Sequence, residues 1–259
     1  MALHYRESGN KDAPLLMMFI HGGGVSGWMW DQQTRYFDHY HCIVPDLPGH
    51  GRSRDGEFSI RGSAEALLRL LNEKAAKKRV MVTGFSLGSQ ILIQMLSLKP
   101  EAIDFAIINS ALVRPLPSAK YWIRPAIQFS YPLIKYRWFS KLQARSLYIS
   151  GENLEAYYEE SLQVQANTLV RVLNENMSFE IPGDFRMAAG RILVTVGEKE
   201  KAIMKRSARD IVQVNPACTG ILLPQIGHGA PLAKPGLFNE ILDSWIHGRE
   251  LPEKCLRLN

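Results

Sequence analysis

A serine, two glutamates and a histidine stand in this 259-residue chain where each could take part in a nucleophilic displacement. Ser86 sits in Gly84-Phe85-Ser86-Leu87-Gly88, directly after the apolar run Arg79-Val80-Met81-Val82-Thr83. That pattern fits a strand turning sharply into a helix with the serine at the apex. The glycines two residues to either side leave space where a side chain would crowd the adjoining strand or helix. A serine hydroxyl is a poor nucleophile at neutral pH. It needs a histidine base, a carboxylate to orient that base, and N–H donors for a developing oxyanion. His228, between Gly227 and Gly229, offers the base at the end of an apolar stretch that begins at Gly220. Glu198 and Glu200 follow the apolar run 192–196 and offer carboxylates. The run Gly22-Gly23-Gly24 follows the buried-strand pattern 15–20 and offers free backbone amides.

In this order the residues resemble the α/β-hydrolase superfamily, over nearly the whole chain from about His4 to Ile246. The stretch Pro45-Asp46-Leu47-Pro48-Gly49-His50-Gly51-Arg52-Ser53 is similar to the family's loop after its third strand. The resemblance implies that Ser86 is the nucleophile, that His228 is general base and then acid, and that the Gly23 and Leu87 amides form the oxyanion hole. It also implies a helical cap inserted above the site, and no cofactor or metal. The acid departs from the common pattern, because Glu200 stands where family members often carry aspartate. Glutamate is one methylene longer, yet either carboxylate can hold the imidazole tautomer. Glu198 is the alternative. The family's other acid position, after a strand expected at 105–109, is closed, since no Asp or Glu occurs from Phe105 to Gly151. The expected activity is hydrolysis of a carboxylic ester of an apolar or aromatic small molecule. Carbon–carbon bond, thioester, amide and perhydrolysis chemistry share the same constellation. Dehalogenase and epoxide hydrolase chemistry does not, because those members carry aspartate where this chain has Ser86.

To position these residues the chain alternates strand-like and helix-like segments, which predicts a mainly parallel α/β sheet covered on both faces. One strand, around residues 2–7, is expected before the strand at 15–20. Apolar spacing predicts helices over 64–77, 89–98 and 238–246. The alternation breaks over 113–186, which is expected to be the helical cap, leaving 1–112 and 187–259 as the core. Half of the chain's 24 aromatic residues fall between Pro115 and Phe185. They are expected to pack the cap onto the core, some of them lining an apolar pocket. Arg114, Lys120, Arg124, Lys135, Arg137, Lys141 and Arg145 occupy the acid-free stretch and are expected to form a solvated face paired with Glu152, Glu155, Glu159 and Glu160, the alternative being a role towards acidic substrates or in transient contact with an anionic membrane.

Two other classes of function compete. Gly22-Gly23-Gly24-Val25-Ser26-Gly27 satisfies a dinucleotide-binding fingerprint with Asp46 downstream, but Trp28, Met29 and Trp30 are bulky where a phosphate-binding helix would start. A hydrolase scaffold with an impaired triad, used only for ligand binding, is the other. His21, His50 and Asp46 are read as loop-shaping residues. The 46% hydrophobic content suits one compact globular protein. No stretch reaches a membrane span or a signal sequence, so no stable membrane anchor is expected. Cys42, Cys218 and Cys255 are odd in number and widely spaced, which suits a reduced cytoplasm. The net charge of +6 comes without a nucleic-acid recognition module. The expected partner is a small apolar ester, and the sequence sets no oligomeric state.

Overall fold

The computed structural model describes residues 3–258, so Ala2, the first residue of the strand expected at 2–7, lies outside the described residues. The strand itself is displaced towards the C-terminus, at β1 (Tyr5–Gly9). It joins β2 (Leu15–Ile20), β3 (His41–Pro45), β4 (Arg79–Phe85), β5 (Phe105–Asn109), β6 (Arg191–Gly197), β7 (Cys218–Leu223) and β8 (Leu256–Arg257) in one sheet, ordered β1-β3-β2-β4-β5-β6-β7-β8. β1 and β8 pair antiparallel at the two edges and every other pairing is parallel. The register sets Ile20 beside Gly84 and Phe85 beside Asn109, so β2, β4 and β5 end level with one another.

The central strands are apolar on both sides because both faces are covered. Leu16, Met18, Ile20, Val82 and Ile108 point to one side, where α2 (Ile60–Ala75), α3 (Leu87–Leu98) and α8 (Ala202–Val214) pack. Met17, Phe19, Met81 and Ile107 point to the other, with Trp30, Phe238 and Leu242 from the segments around α1 (Asp31–Tyr36) and α10 (Pro235–His247). α2 begins four residues before the expected helix because the Ser59 hydroxyl accepts from the Gly62 amide at 3.0 Å. Such a cap contributes about 1 kcal/mol.

Between β5 and β6 the chain forms α4 (Ala119–Ser130), α5 (Arg137–Ser146), α6 (Glu152–Ser161) and α7 (Ala166–Ser178). α4 packs on α7 and α5 on α6. The aromatic residues here do not mainly pack inward as expected. Tyr157, Phe179 and Phe185 are buried, but Tyr121, Trp122, Phe129, Tyr136, Trp138 and Tyr148 are exposed. The smaller Ile123 takes the buried position of α4, and Ser140 and Ala144 those of α5, instead. Of the expected charge pairs, Arg137 forms a bidentate one with Glu155, the one such pair among the described residues, and the Glu152 side chain lies outside them. Arg114 instead bonds Asp210 on α8, and Glu160 turns inward.

Candidate active site

β4 does not stop at Thr83 but runs on to Phe85, and Ser86 breaks it with φ 52° and ψ −111°. A non-glycine residue at positive φ costs on the order of 1–3 kcal/mol and persists only where its surroundings hold it. The flanking glycines are required for close approach. A Cβ on Gly84 would stand 2.5 Å from the Gly88 carbonyl oxygen, and one on Gly88 would stand 2.4 Å from the Ile20 carbonyl oxygen. The Ser86 amide donates to the Asn109 carbonyl at 2.9 Å, tying the turn to the end of β5. Ser86 holds the N-cap position of α3, yet its hydroxyl makes no cap bond. It lies 3.0 Å from His228 Nε2.

His228 stands in the loop after β7, which is shorter than the apolar stretch suggested and ends at Leu223. Its Nδ1 is 2.8 Å from Glu200 Oε2. Gly197 lets the loops after β6 and β7 approach, since a Cβ there would meet the Ile226 carbonyl oxygen at 2.4 Å. The Phe85 ring supports the imidazole from one side, with centroids 5.0 Å apart. The Glu200 side chain is only 1% exposed. Burial alone would raise its carboxyl, but the bond and charge of His228, with hydrogen bonds from the Ser110 hydroxyl and the Gly197 amide, outweigh that and hold it below its ordinary range. Both of the latter donate to Oε1, at 2.6 and 2.9 Å. Glu198 is turned away, and its carboxylate accepts from the exposed Gln225 amide at 2.8 Å.

Ser110 was not foreseen as part of the site. It follows β5, the strand after which the family's other acid position falls, and has φ 59°. There a hydroxyl points at the glutamate. A polar residue directly after a buried strand was the only signal in the sequence.

Gly23 and Leu87 both border a cavity of about 320 Å³ that opens at Ser86. A Cβ on Gly23 would lie 3.5 Å from Leu87 Cδ2, so the two segments run side by side. Leu87 is the first residue of α3, where an amide has no intrahelical acceptor. Ile127, Tyr131, Ile134 and Phe139 enclose the cavity from α4, α5 and the turn between them, and Tyr157, Leu169 and Val172 from α6 and α7. Ser130, Gln143, Ser161 and Asn176 add polar groups, and every side chain lining it is uncharged. A larger concavity of about 850 Å³ lies around Val80 and Asp104, at the opposite ends of the strands. Ligands of such sheets bind at the carboxyl ends, where Ser86 is.

Two further contacts reach the site's loops from the inserted helices. The Ser26 hydroxyl donates to Glu160 Oε1 at 2.6 Å and the Trp28 indole to Oε2 at 2.8 Å, fixing the loop that carries Gly23. Burial pushes the Glu160 carboxyl above its usual range against these two bonds. Tyr148 accepts from the Gly227 amide at 2.9 Å, next to His228. Neither contact was visible in the sequence, because each joins residues far apart in the chain.

The glycine run does not lead into a phosphate cradle. Gly27–Trp30 form a 3₁₀ turn and α1 is six residues long. Asp46 is spent on loop geometry, accepting from the Gly27 and Arg52 amides at 3.0 and 2.9 Å and lying 3.1 Å from His4 Nδ1. His21 is structural: its Nε2 accepts from the Leu47 amide at 2.9 Å and its Nδ1 bonds the Gly22 carbonyl. Burial, with His50 beside it, pushes its pKa down to about 3. Burial pushes the Cys42 and Cys218 thiols up to about 12, so neither is an activated thiolate. Among the described residues no group of three or more His, Cys, Asp or Glu is arranged to hold a metal ion.

The chain is 24% identical over 247 residues to a pimeloyl-[acyl-carrier protein] methyl ester esterase of Pectobacterium carotovorum, covering 90% of this chain and 93% of that protein. It is 22% identical over 254 residues to an (E)-2-((N-methylformamido)methylene)succinate hydrolase of Acinetobacter baylyi, covering 94% and 93%. Among solved structures, a thermophilic esterase from Thermogutta terrifontis superposes with a TM-score of 0.78 at 18% identity, over 95% of this chain and 93% of that one, a likeness of fold. A model described as the alpha/beta hydrolase family matches residues 17–241, and with the fold and site above, the chain belongs to that family.

Proposed function

We propose that this hydrolase is a serine esterase that cleaves a carboxylic ester of an apolar or aromatic small molecule through an acyl-enzyme. The observation that carries the reading is the hydrogen-bonded line Glu200–His228–Ser86, with steps of 2.8 and 3.0 Å, ending at an uncharged cavity. With its proton on Nδ1 and bonded to Glu200, His228 has Nε2 free to accept the Ser86 proton as the oxygen attacks the ester carbonyl. The Gly23 and Leu87 amides receive the oxyanion. His228 returns its proton to the departing alcohol, then takes one from water as that water attacks the acyl-enzyme, and gives it to Ser86 Oγ as the acid is released. Glu200 keeps its charge throughout and stabilises the imidazolium.

Charged substrates gain nothing from the cavity wall, and the basic side chains of α4 and α5 are absent from it. The bond between His228 and a buried carboxylate argues against a binding scaffold with an impaired triad. The test is a panel of aryl esters, thioesters and amides of graded acyl length. Medium apolar esters should turn over fastest and Ser86→Ala should lose activity at an unchanged melting temperature. Turnover of thioester or amide but not ester would move the assignment to that chemistry, and full activity of Ser86→Ala would end it.

A further inference from the structure

The outward faces of α4 and α5 are built unlike a solvated surface. On α4, Trp122, Pro125, Ala126 and Phe129 recur at i, i+3, i+4 and i+7, and all four are exposed. They form an apolar stripe two turns long. Trp122 is 72% exposed and Phe129 84%. On α5 the same spacing gives Trp138, Lys141, Leu142 and Arg145, again all exposed, with Trp138 at 58% and Leu142 at 61%. Folding does not need these residues inward, because other positions of the same helices are buried or line the cavity. Contiguous exposed apolar surface of this kind marks an interaction site.

Charge says what the partner is. No carboxylate occurs in the sequence from Phe105 to Gly151. Arg114 and Arg137 are paired, but among the described residues no carboxylate lies within ion-pair distance of Lys120, Arg124, Lys135, Lys141 or Arg145. A second copy of this face would set like charges against one another. Indole and phenyl rings interleaved with cations that have no carboxylate partner among the described residues match a bilayer interface, where aromatic rings sit at headgroup level and Lys and Arg meet anionic lipids.

We propose that the outer face of α4 and α5 docks the protein reversibly on an anionic lipid bilayer. No helix among the described residues is long and apolar enough to cross a membrane, so the contact is peripheral. Ile127 and Phe139, on the same two helices, line the cavity at Ser86. Docking therefore brings that cavity within about one helix diameter, ~10 Å, of the lipid surface.

The test is sedimentation of the full chain with phosphatidylcholine vesicles, with and without about 30% phosphatidylserine, at low and raised salt. The protein should bind the anionic vesicles and release with salt, and bromine-labelled lipid should quench its tryptophan fluorescence. Trp122→Ala/Phe129→Ala and Lys141→Gln/Arg145→Gln should each weaken binding at least about tenfold. Lys77→Gln/Lys99→Gln, remote from this face, should not. All variants should keep the wild-type melting temperature, which checks their folding without turnover, and should hydrolyse a short soluble ester like wild type. The proposal fails if anionic vesicles are not bound at low salt. It also fails if the remote pair weakens binding as much, or if the face variants lose only self-association or binding to an acidic protein. Because sedimentation needs no turnover, these failures leave the esterase reading standing, and an inactive protein leaves the docking result readable.

Discussion

At the scale of single residues, the question left open by the sequence was which glutamate serves the histidine. Spacing favoured Glu200; in the structure Glu200 bonds His228 whereas Glu198 bonds the exposed Gln225 amide, and on that contact we propose Glu200 as the acid. Glu200→Gln should therefore lose on the order of 10²-fold or more in kcat, while Glu198→Gln stays near wild type. Steady-state kinetics on one ester decides it, and the reverse result would transfer the role. The same carboxylate has a signature in stability. Its folded pKa lies below the ordinary 4.5, so the stabilisation is complete above that value and is lost as pH falls through the folded pKa. The advantage of wild type over Glu200→Gln in urea unfolding should shrink as pH drops from about 6 towards about 3. A difference that stays constant would mean that the carboxylate gains nothing from its partners. Ser110 remained hidden because a serine after a strand is common, and only the sheet brings it to a residue ninety positions away.

At the scale of elements, the legible parts were those fixed locally. The strands 15–20 and 105–109 and the turn into α3 declare themselves by apolar runs and glycines whose space is needed. The inserted helices were legible as helices to come but not as surfaces. Aromatic content alone cannot tell an inward face from an outward one, and Ile123, Ser140 and Ala144 win the buried positions. Nor could sequence show that this segment holds two loops of the site, through Glu160 on Ser26 and Trp28 and through Tyr148 on Gly227. Glu160→Gln leaves one of its two donors without an acceptor, because the amide nitrogen cannot accept. We expect kcat/KM to fall roughly threefold to tenfold, about one hydrogen bond, with the loss mainly in kcat because the Gly23 loop is proposed to receive the oxyanion in the transition state. A loss confined to KM would make Glu160 part of substrate binding instead.

At the scale of the whole molecule, parallel order brings the ends of β4, β6 and β7 to one edge, and Ser86, Glu200 and His228 follow those three strands. The sequence disclosed this through the order of its motifs, together with the alternation of elements. It could not disclose the shape of the cavity, which depends on how four inserted helices settle over that edge. In the proposed mechanism the serine becomes reactive only when the assembled sheet presents it to His228, so activation would be a property of the fold rather than of the pentapeptide. The most direct measurement is intact mass after exposure to a small fluorophosphonate, for native wild type, urea-unfolded wild type and native Ser86→Ala. The account predicts one adduct, on native wild type alone. An adduct that persists in Ser86→Ala, or native wild type left unlabelled, would contradict the central claim that Ser86 is an activated nucleophile.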